Sequence, residues 1–221
     1  MNLIKKAYFQ RRLLGWFKTN ARNFPWRYQN NPYKVFVSEI LLQQTNADKV
    51  VDPYSQLINQ YPDVISLSFG AVEDLKLVFM GLGLFFRAER ILRIANEIVD
   101  NHFGVFPSNF DDLKAIKGIG DYSASAILCF GYGKRFSIVD TNVIRIFNRV
   151  FSLTSEKKRP RTDKKFWNFA HNLLPRKKYL DFNYALLDFA ALICRYSKPK
   201  CNICPIRLVC SFFAEGNYDF S

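Results

Sequence analysis

Apolar positions recur at helical spacing along most of the chain. Residues 3 to 20 read as a basic amphipathic helix, closed by Phe24-Pro25-Trp26-Arg27. Tyr33 to Gln44 predicts a second helix, and Asn46 to Tyr61 a third, kinked at Pro53. Val72 to Phe79 predicts a fourth, followed by a Gly81-Leu82-Gly83 turn. In the stretch from Phe86 to Asn101, Ile91, Leu92, Ile94, Ala95 and Ile98 mark an apolar stripe. Ser108 is placed to cap a short helix beginning near Pro107. The charged, Pro-containing run Ser155 to Lys165 predicts an exposed loop or a seam between lobes. Phe166 to Leu174 and Asp181 to Ile193 predict two further helices. No β-hairpin signal and no internal repeat interrupts this pattern, so the expected fold class is all-α.

Composition narrows the partners. Hydrophobic residues make up 49% of the 221 positions, 22 of them Phe, enough for a sizeable core. The net charge of +13 predicts a polyanionic partner, with the phosphate backbone of nucleic acid ahead of an anionic membrane surface. No apolar run approaches a bilayer span and no signal peptide is evident. The expectation is an intracellular, monomeric protein, cytoplasmic and nucleoid-associated, with reduced thiols and no membrane partner.

Four of the five cysteines, Cys194, Cys201, Cys204 and Cys210, follow the spacing C-x6-C-x2-C-x5-C. Four soft ligands in one Pro-containing loop call for zinc or an iron–sulfur cluster. The single tight pair and the wider flanking spans favour the larger object. Cys129, inside Ala126-Ile127-Leu128-Cys129-Phe130, reads as core.

Three further motifs carry candidate chemistry. Lys117-Gly118-Ile119-Gly120 joins two helical stretches by a turn whose amides could face a phosphate. Glu39 is the only charge between Lys34 and Asp48. If buried it would favour its protonated form and act as an acid. If partly exposed it is an ordinary residue of an amphipathic helix. Asp140, before Thr141-Asn142-Val143, suits a helix N-cap and equally a carboxylate that steadies a cation.

Together these motifs resemble the helix-hairpin-helix, iron–sulfur DNA glycosylases, the superfamily of endonuclease III, the adenine glycosylases and the thymine mismatch glycosylases. The likeness runs from about Phe24 to Cys210. It implies two helical lobes with a DNA-binding cleft between them: a six-helix barrel bearing the hairpin over residues 22–135, and an iron–sulfur domain from 1–21 plus 136–221. It implies a [4Fe–4S] cluster on Cys194, Cys201, Cys204 and Cys210, in a loop whose Lys198, Lys200 and Arg207 meet DNA phosphates. Ser38-Glu39 through Leu42-Gln43-Gln44-Thr45 resembles the adenine-glycosylase helix in which the Glu protonates the base. Val139-Asp140 with Asn142-Val143 resembles the segment whose Asp supports the sugar cation, helped by Asn142 and Tyr122. Gln43, Gln44 and Thr45 would contact DNA, Gln44 at the opposite base or in the gap. Lys117, Gly118, Ile119 and Gly120 would grip the backbone. Phe85 stands where the family has a wedge tyrosine, or packs in the core.

The resemblance also discriminates. Relatives that cut the strand carry a lysine two positions after the second hairpin glycine, where this chain has Tyr122. A phenol forms no imine, so base removal without a lyase step is expected. The sequence ends shortly after Cys210, so the 8-oxoguanine-reading domain of full-length adenine glycosylases is not expected. Thr141 replaces a glycine usual in adenine enzymes. Asp181-Phe182-Asn183 and Leu187-Asp188-Phe189 are similar to the short thymine enzymes, yet Gln43-Gln44 is similar to the adenine branch. The expected activity is removal of a mispaired base opposite guanine from double-stranded DNA, with adenine and thymine or uracil both open. The alternatives are a bifunctional glycosylase/AP lyase and a non-catalytic iron–sulfur DNA-binding protein.

Overall fold

The computed structural model describes residues 3–83 and 85–216. Every regular element among them is helical: α1 Leu3–Asn20, α2 Pro32–Leu42, α3 Val51–Gln60, α4 Val64–Ser68, α5 Val72–Met80, α6 Phe86–His102, α7 Phe110–Ala115, α8 Asp121–Ala126, α9 Thr141–Phe151, α10 Lys164–Leu173, α11 Tyr179–Leu192 and α12 Ser211–Ala214. None is long and apolar enough to cross a membrane.

The chain divides into two compact units, Asn23–Lys134 and Met1–Arg22 with Arg135–Ser221. In the first, α6 packs on α4 and α5, and α2 packs on α3 and on a π-helical turn, Ile127–Gly131, that continues α8. The stripe expected on α6 is its buried face, with Ile91, Ile94, Ala95 and Ile98 all inaccessible. In the second, α1 and α9 both pack on α11. Phenylalanines bind these helices edge to face: Phe9 meets Phe151 at 5.1 Å and Phe182 at 6.1 Å, and Phe147 and Phe151 each meet Phe169 at 5.0 Å. Asp188, fully buried on α11, accepts from the Arg22 backbone N–H at 3.0 Å and from Arg22 Nε at 2.6 Å. Cys129 is buried as expected of a core thiol.

Local chemistry corrects several boundaries. The third predicted helix is two pieces, a 3-10 turn Ala47–Val50 capped by Asn46 and then α3. Pro53 lies in the first turn of α3, where its missing N–H leaves no helical bond unmade, so no kink is needed. The cap of α7 is Asn109, not Ser108: its side chain accepts from Asp112 N at 2.9 Å. Helix α4 was not expected. Its capping box, Asp63 with Ser66, is a signal the sequence offered, with Ser66 N donating to Asp63 Oδ1 at 2.7 Å.

Candidate active site and cysteine centre

Within the unit Asn23–Lys134, Glu39 lies on α2 and is only 7% exposed. The helix ends at Leu42, and the chain turns through Gln43, Gln44 and Thr45, with Gln44 in the left-handed region at φ +57°. Two arginines of α6 hold this turn. Arg87, 1% exposed, donates through Nη1 to the Leu41 carbonyl at 3.0 Å and to Thr45 Oγ1 at 3.1 Å. Arg90 donates to Gln43 Oε1 at 2.8 Å and to the Gly118 carbonyl. A third, Arg93, donates to the Lys117 carbonyl at 2.9 Å.

These arginines join the Gln43-Gln44-Thr45 turn to the glycine hairpin. Gly118 has φ +107°, a conformation other residues rarely adopt, and a Cβ there would sit 3.2 Å from Arg93 Nη2. Gly120 is the N-cap residue of α8, and Tyr122, half-buried, is that helix's second residue. The Ile119 side chain is 4% exposed, so any contact it makes with DNA is through its backbone. The Thr45 hydroxyl, engaged by Arg87, is a support of the turn. Gln44 and Lys117 are exposed. Phe85 is 50% exposed, which removes the core-packing alternative and leaves an aromatic ring at the surface. Trp26 is structural, stacked on Phe24 at 4.7 Å.

In the other unit, Asp140 caps α9. Its Oδ1 accepts from Val143 N at 2.7 Å, and its Oδ2 accepts from Asn142 Nδ2 at 2.8 Å. Asn142 is held in turn by Arg145, whose Nη1 donates to Asn142 Oδ1 at 2.9 Å. Arg145 also donates to the Cys194 carbonyl at 2.9 Å and the Ala190 carbonyl at 3.0 Å. A continuous hydrogen-bonded chain therefore runs from the first cysteine of the loop to Asp140.

Cys194, Cys201, Cys204 and Cys210 line one pocket, walled by Phe189, Ile193, Ile206 and Phe212. All four thiols are unbridged. Burial pushes Cys204 up to about 12 and also raises Cys201 and Cys210, with repulsion among the thiolates adding to each. A cationic centre among them reverses that balance and favours the thiolates. Among the described residues no three His, Cys, Asp or Glu side chains converge closely enough to hold a single metal ion. Arg149 braces the loop, donating to the Arg195 carbonyl at 2.6 Å and the Tyr196 carbonyl at 2.9 Å, and lying 3.6 Å from Cys194 Sγ. Lys198, Lys200 and Arg207 are exposed on the same loop.

Residues 37–171 match the HhH-GPD superfamily of base excision DNA repair proteins. The chain is also 37% identical over 212 residues to a thymine/uracil-DNA glycosylase of Pyrobaculum aerophilum, covering 94% of this chain and 92% of that one. This protein belongs to the HhH-GPD superfamily.

The matched HhH-GPD region holds Glu39, the glycine hairpin and Asp140, and ends before the cysteine loop. An adenine DNA glycosylase of Buchnera aphidicola subsp. Baizongia pistaciae is 34% identical, with the alignment covering 94% of this HhH-GPD chain and 59% of the longer relative. Among solved structures, a thermostable thymine-DNA glycosylase superposes with a TM-score of 0.89 at 31% identity, covering 96% of this chain and 98% of that one. A trapped endonuclease III–DNA covalent intermediate superposes at 0.84 with 17% identity, covering 98% and 99%, which shows a common fold. The arginines that organise this HhH-GPD member, Arg87, Arg90, Arg93 and Arg145, were absent from the sequence-based candidates. Arg87 stands on the same α6 face as Ile91, Ile94 and Ile98, which marks its burial and not the groups it holds.

Proposed function

We propose that this chain is a monofunctional, mismatch-specific DNA N-glycosylase of base excision repair, releasing thymine or uracil, or adenine, paired with guanine. The observation that carries the reading is Glu39, a carboxyl buried at the end of α2 next to a turn of two glutamines. A protein that only bound DNA would have no use for a carboxyl there, since burying one costs stability. The 37% identity to the thymine/uracil relative favours the pyrimidine branch, and Gln43-Gln44 is the feature that keeps adenine in view.

Base removal needs the target nucleotide out of the stack. The exposed ring of Phe85 supplies an apolar wedge, while Lys117 and the amides of Gly118 and Gly120 grip a phosphate. Glycosidic cleavage builds negative charge on the departing base and positive charge on the sugar. Glu39 gives its proton to the base. Asp140, oriented by Asn142 and the Val143 amide, faces the sugar cation and stabilises it. Tyr122 carries no amine, so no Schiff base forms, and a water molecule completes hydrolysis. Cys194, Cys201, Cys204 and Cys210 hold a [4Fe–4S] cluster that contributes folding free energy to the loop presenting Lys198, Lys200 and Arg207 to the backbone.

The test is incubation with labelled duplexes holding T:G, U:G, A:G and A:8-oxoguanine, followed by alkali. Cleavage at T:G or U:G supports the pyrimidine branch and cleavage at adenine the other. No cleavage at any pair overturns the assignment. Borohydride trapping of a covalent protein–DNA adduct would overturn the monofunctional reading.

A further inference from the structure

The Gln43 side chain can present either of two faces to a base, an acceptor oxygen or a pair of N–H donors. Arg90 decides between them. Its Nη1 donates to Gln43 Oε1 at 2.8 Å and its Nη2 to the Gly118 carbonyl. A guanidinium carries donors only, so the amide must turn its oxygen toward Arg90 and its NH2 group away; the chemistry of the pair fixes this orientation. Arg90 is half-withdrawn from water, and its Nε is buried with no hydrogen-bond partner among the described residues. Its remaining bonds therefore offset the loss of hydration and resist exchange with solvent. The left-handed backbone of Gln44 sets the second glutamine on a separate course, and Thr45 is held by Arg87. Of the two glutamines in the turn, Gln43 is the one whose amide orientation is dictated by an arginine.

We propose that Arg90 is a specificity-determining positioning residue, which locks Gln43 as a hydrogen-bond donor and so selects, opposite the excised nucleotide, a base whose edge offers acceptors. On the major-groove edge guanine, with N7 and O6, satisfies this donor, and cytosine, which shows only its N4 amino group there, opposes it. The inference rests on the proposed function, and takes the Gln43 turn to meet the strand opposite the lesion. It adds the agent that gives the turn its preference and the sign of that preference.

The experiment is equilibrium binding to four duplexes carrying a tetrahydrofuran abasic analogue opposite guanine, cytosine, adenine or thymine. Base release from T:G is followed alongside. The native protein should bind the guanine duplex more tightly than the cytosine duplex. Arg90→Met, which keeps an apolar stem and removes the donors, should shrink that ratio by about ten-fold or to unity, as expected for one misoriented hydrogen bond. Arg90→Lys, which keeps a single donor centre, should fall between, and it carries the test should Arg90→Met fail to fold. In a Gln43→Ala background Arg90→Met should leave the ratio unchanged, because the orientation to be fixed is gone. Equal weakening on all four duplexes, or the same change of ratio without Gln43, would overturn the proposal. A native protein that binds the analogues with a guanine preference and releases no base would refute the enzymatic reading and leave Arg90's role standing. One with no guanine-over-cytosine preference would refute Arg90's role whatever base is released.

Discussion

Asp140 has two roles to separate, and a pair of substitutions separates them. One carboxylate oxygen caps α9 through Val143 N at 2.7 Å, and the other accepts from Asn142 at 2.8 Å. Asn at this position keeps an oxygen for the cap, since Asn and Asp are about equally good N-cap residues. It loses the charge at the helix N-terminus, worth about 0.3–1 kcal/mol, and the bond from Asn142, worth about 1 kcal/mol. Asp140→Asn should therefore cost roughly 1–2 kcal/mol and lower Tm by roughly 3–6 °C in a chain of this size. Asp140→Ala also removes the cap, at about 1 kcal/mol more. Chemistry should rank the pair differently. Loss of the carboxylate facing a sugar cation should slow base release on the order of 10²–10³-fold, and nearly equally in both variants. The assay is single-turnover release from a T:G or A:G duplex at saturating protein, beside thermal unfolding. If Asp140→Asn released base at the native rate while Asp140→Ala lost stability, Asp140 would be a helix cap and nothing more.

Three further outcomes follow from the geometry. Gly131→Ala places a Cβ 2.7 Å from Pro32 Cα where the π-turn passes the start of α2. Neither backbone can yield freely, so a loss of about 1–3 kcal/mol in denaturant unfolding is expected, and native stability would contradict it. Burial pushes the Tyr54 hydroxyl up to about 12. Its contribution is complete below pH 10, the unfolded value being about 10, and is lost as pH rises toward 12, because the unfolded chain ionises first. Tyr54→Phe should make the alkaline fall in stability shallower, and an identical slope would refute the reasoning. Cys201→Ser should abolish bound iron and sulfide in the purified protein and destabilise the Arg135–Ser221 segment by proteolysis. Stoichiometric zinc in the native protein would contradict the cluster.

The pattern of residues made some features legible and hid others. The α6 stripe, the Asp140 cap and the core position of Cys129 follow from local rules, because helical periodicity, capping and apolar flanks act within a few residues. The four-cysteine spacing pointed to one centre, and the thiols do share a cavity. The arginine clamps were not legible. Arg87 reaches Leu41 and Arg145 reaches Cys194, contacts 46 and 49 residues apart, and a buried guanidinium bonded to carbonyls looks in sequence like any surface charge. Thr45 and Ile119 sit in the right segments, yet the hydroxyl of one is bound by Arg87 and the side chain of the other is buried.

The most direct test of the account is Glu39→Gln, measured for base release and for binding on the same mismatched duplex. Gln fills the same space in α2 and donates no proton to a departing base. The account predicts release reduced at least about 10²-fold with affinity for the duplex within a few-fold of native. Release at the native rate would show that Glu39 is not the acid, and the proposed mechanism would fall with it.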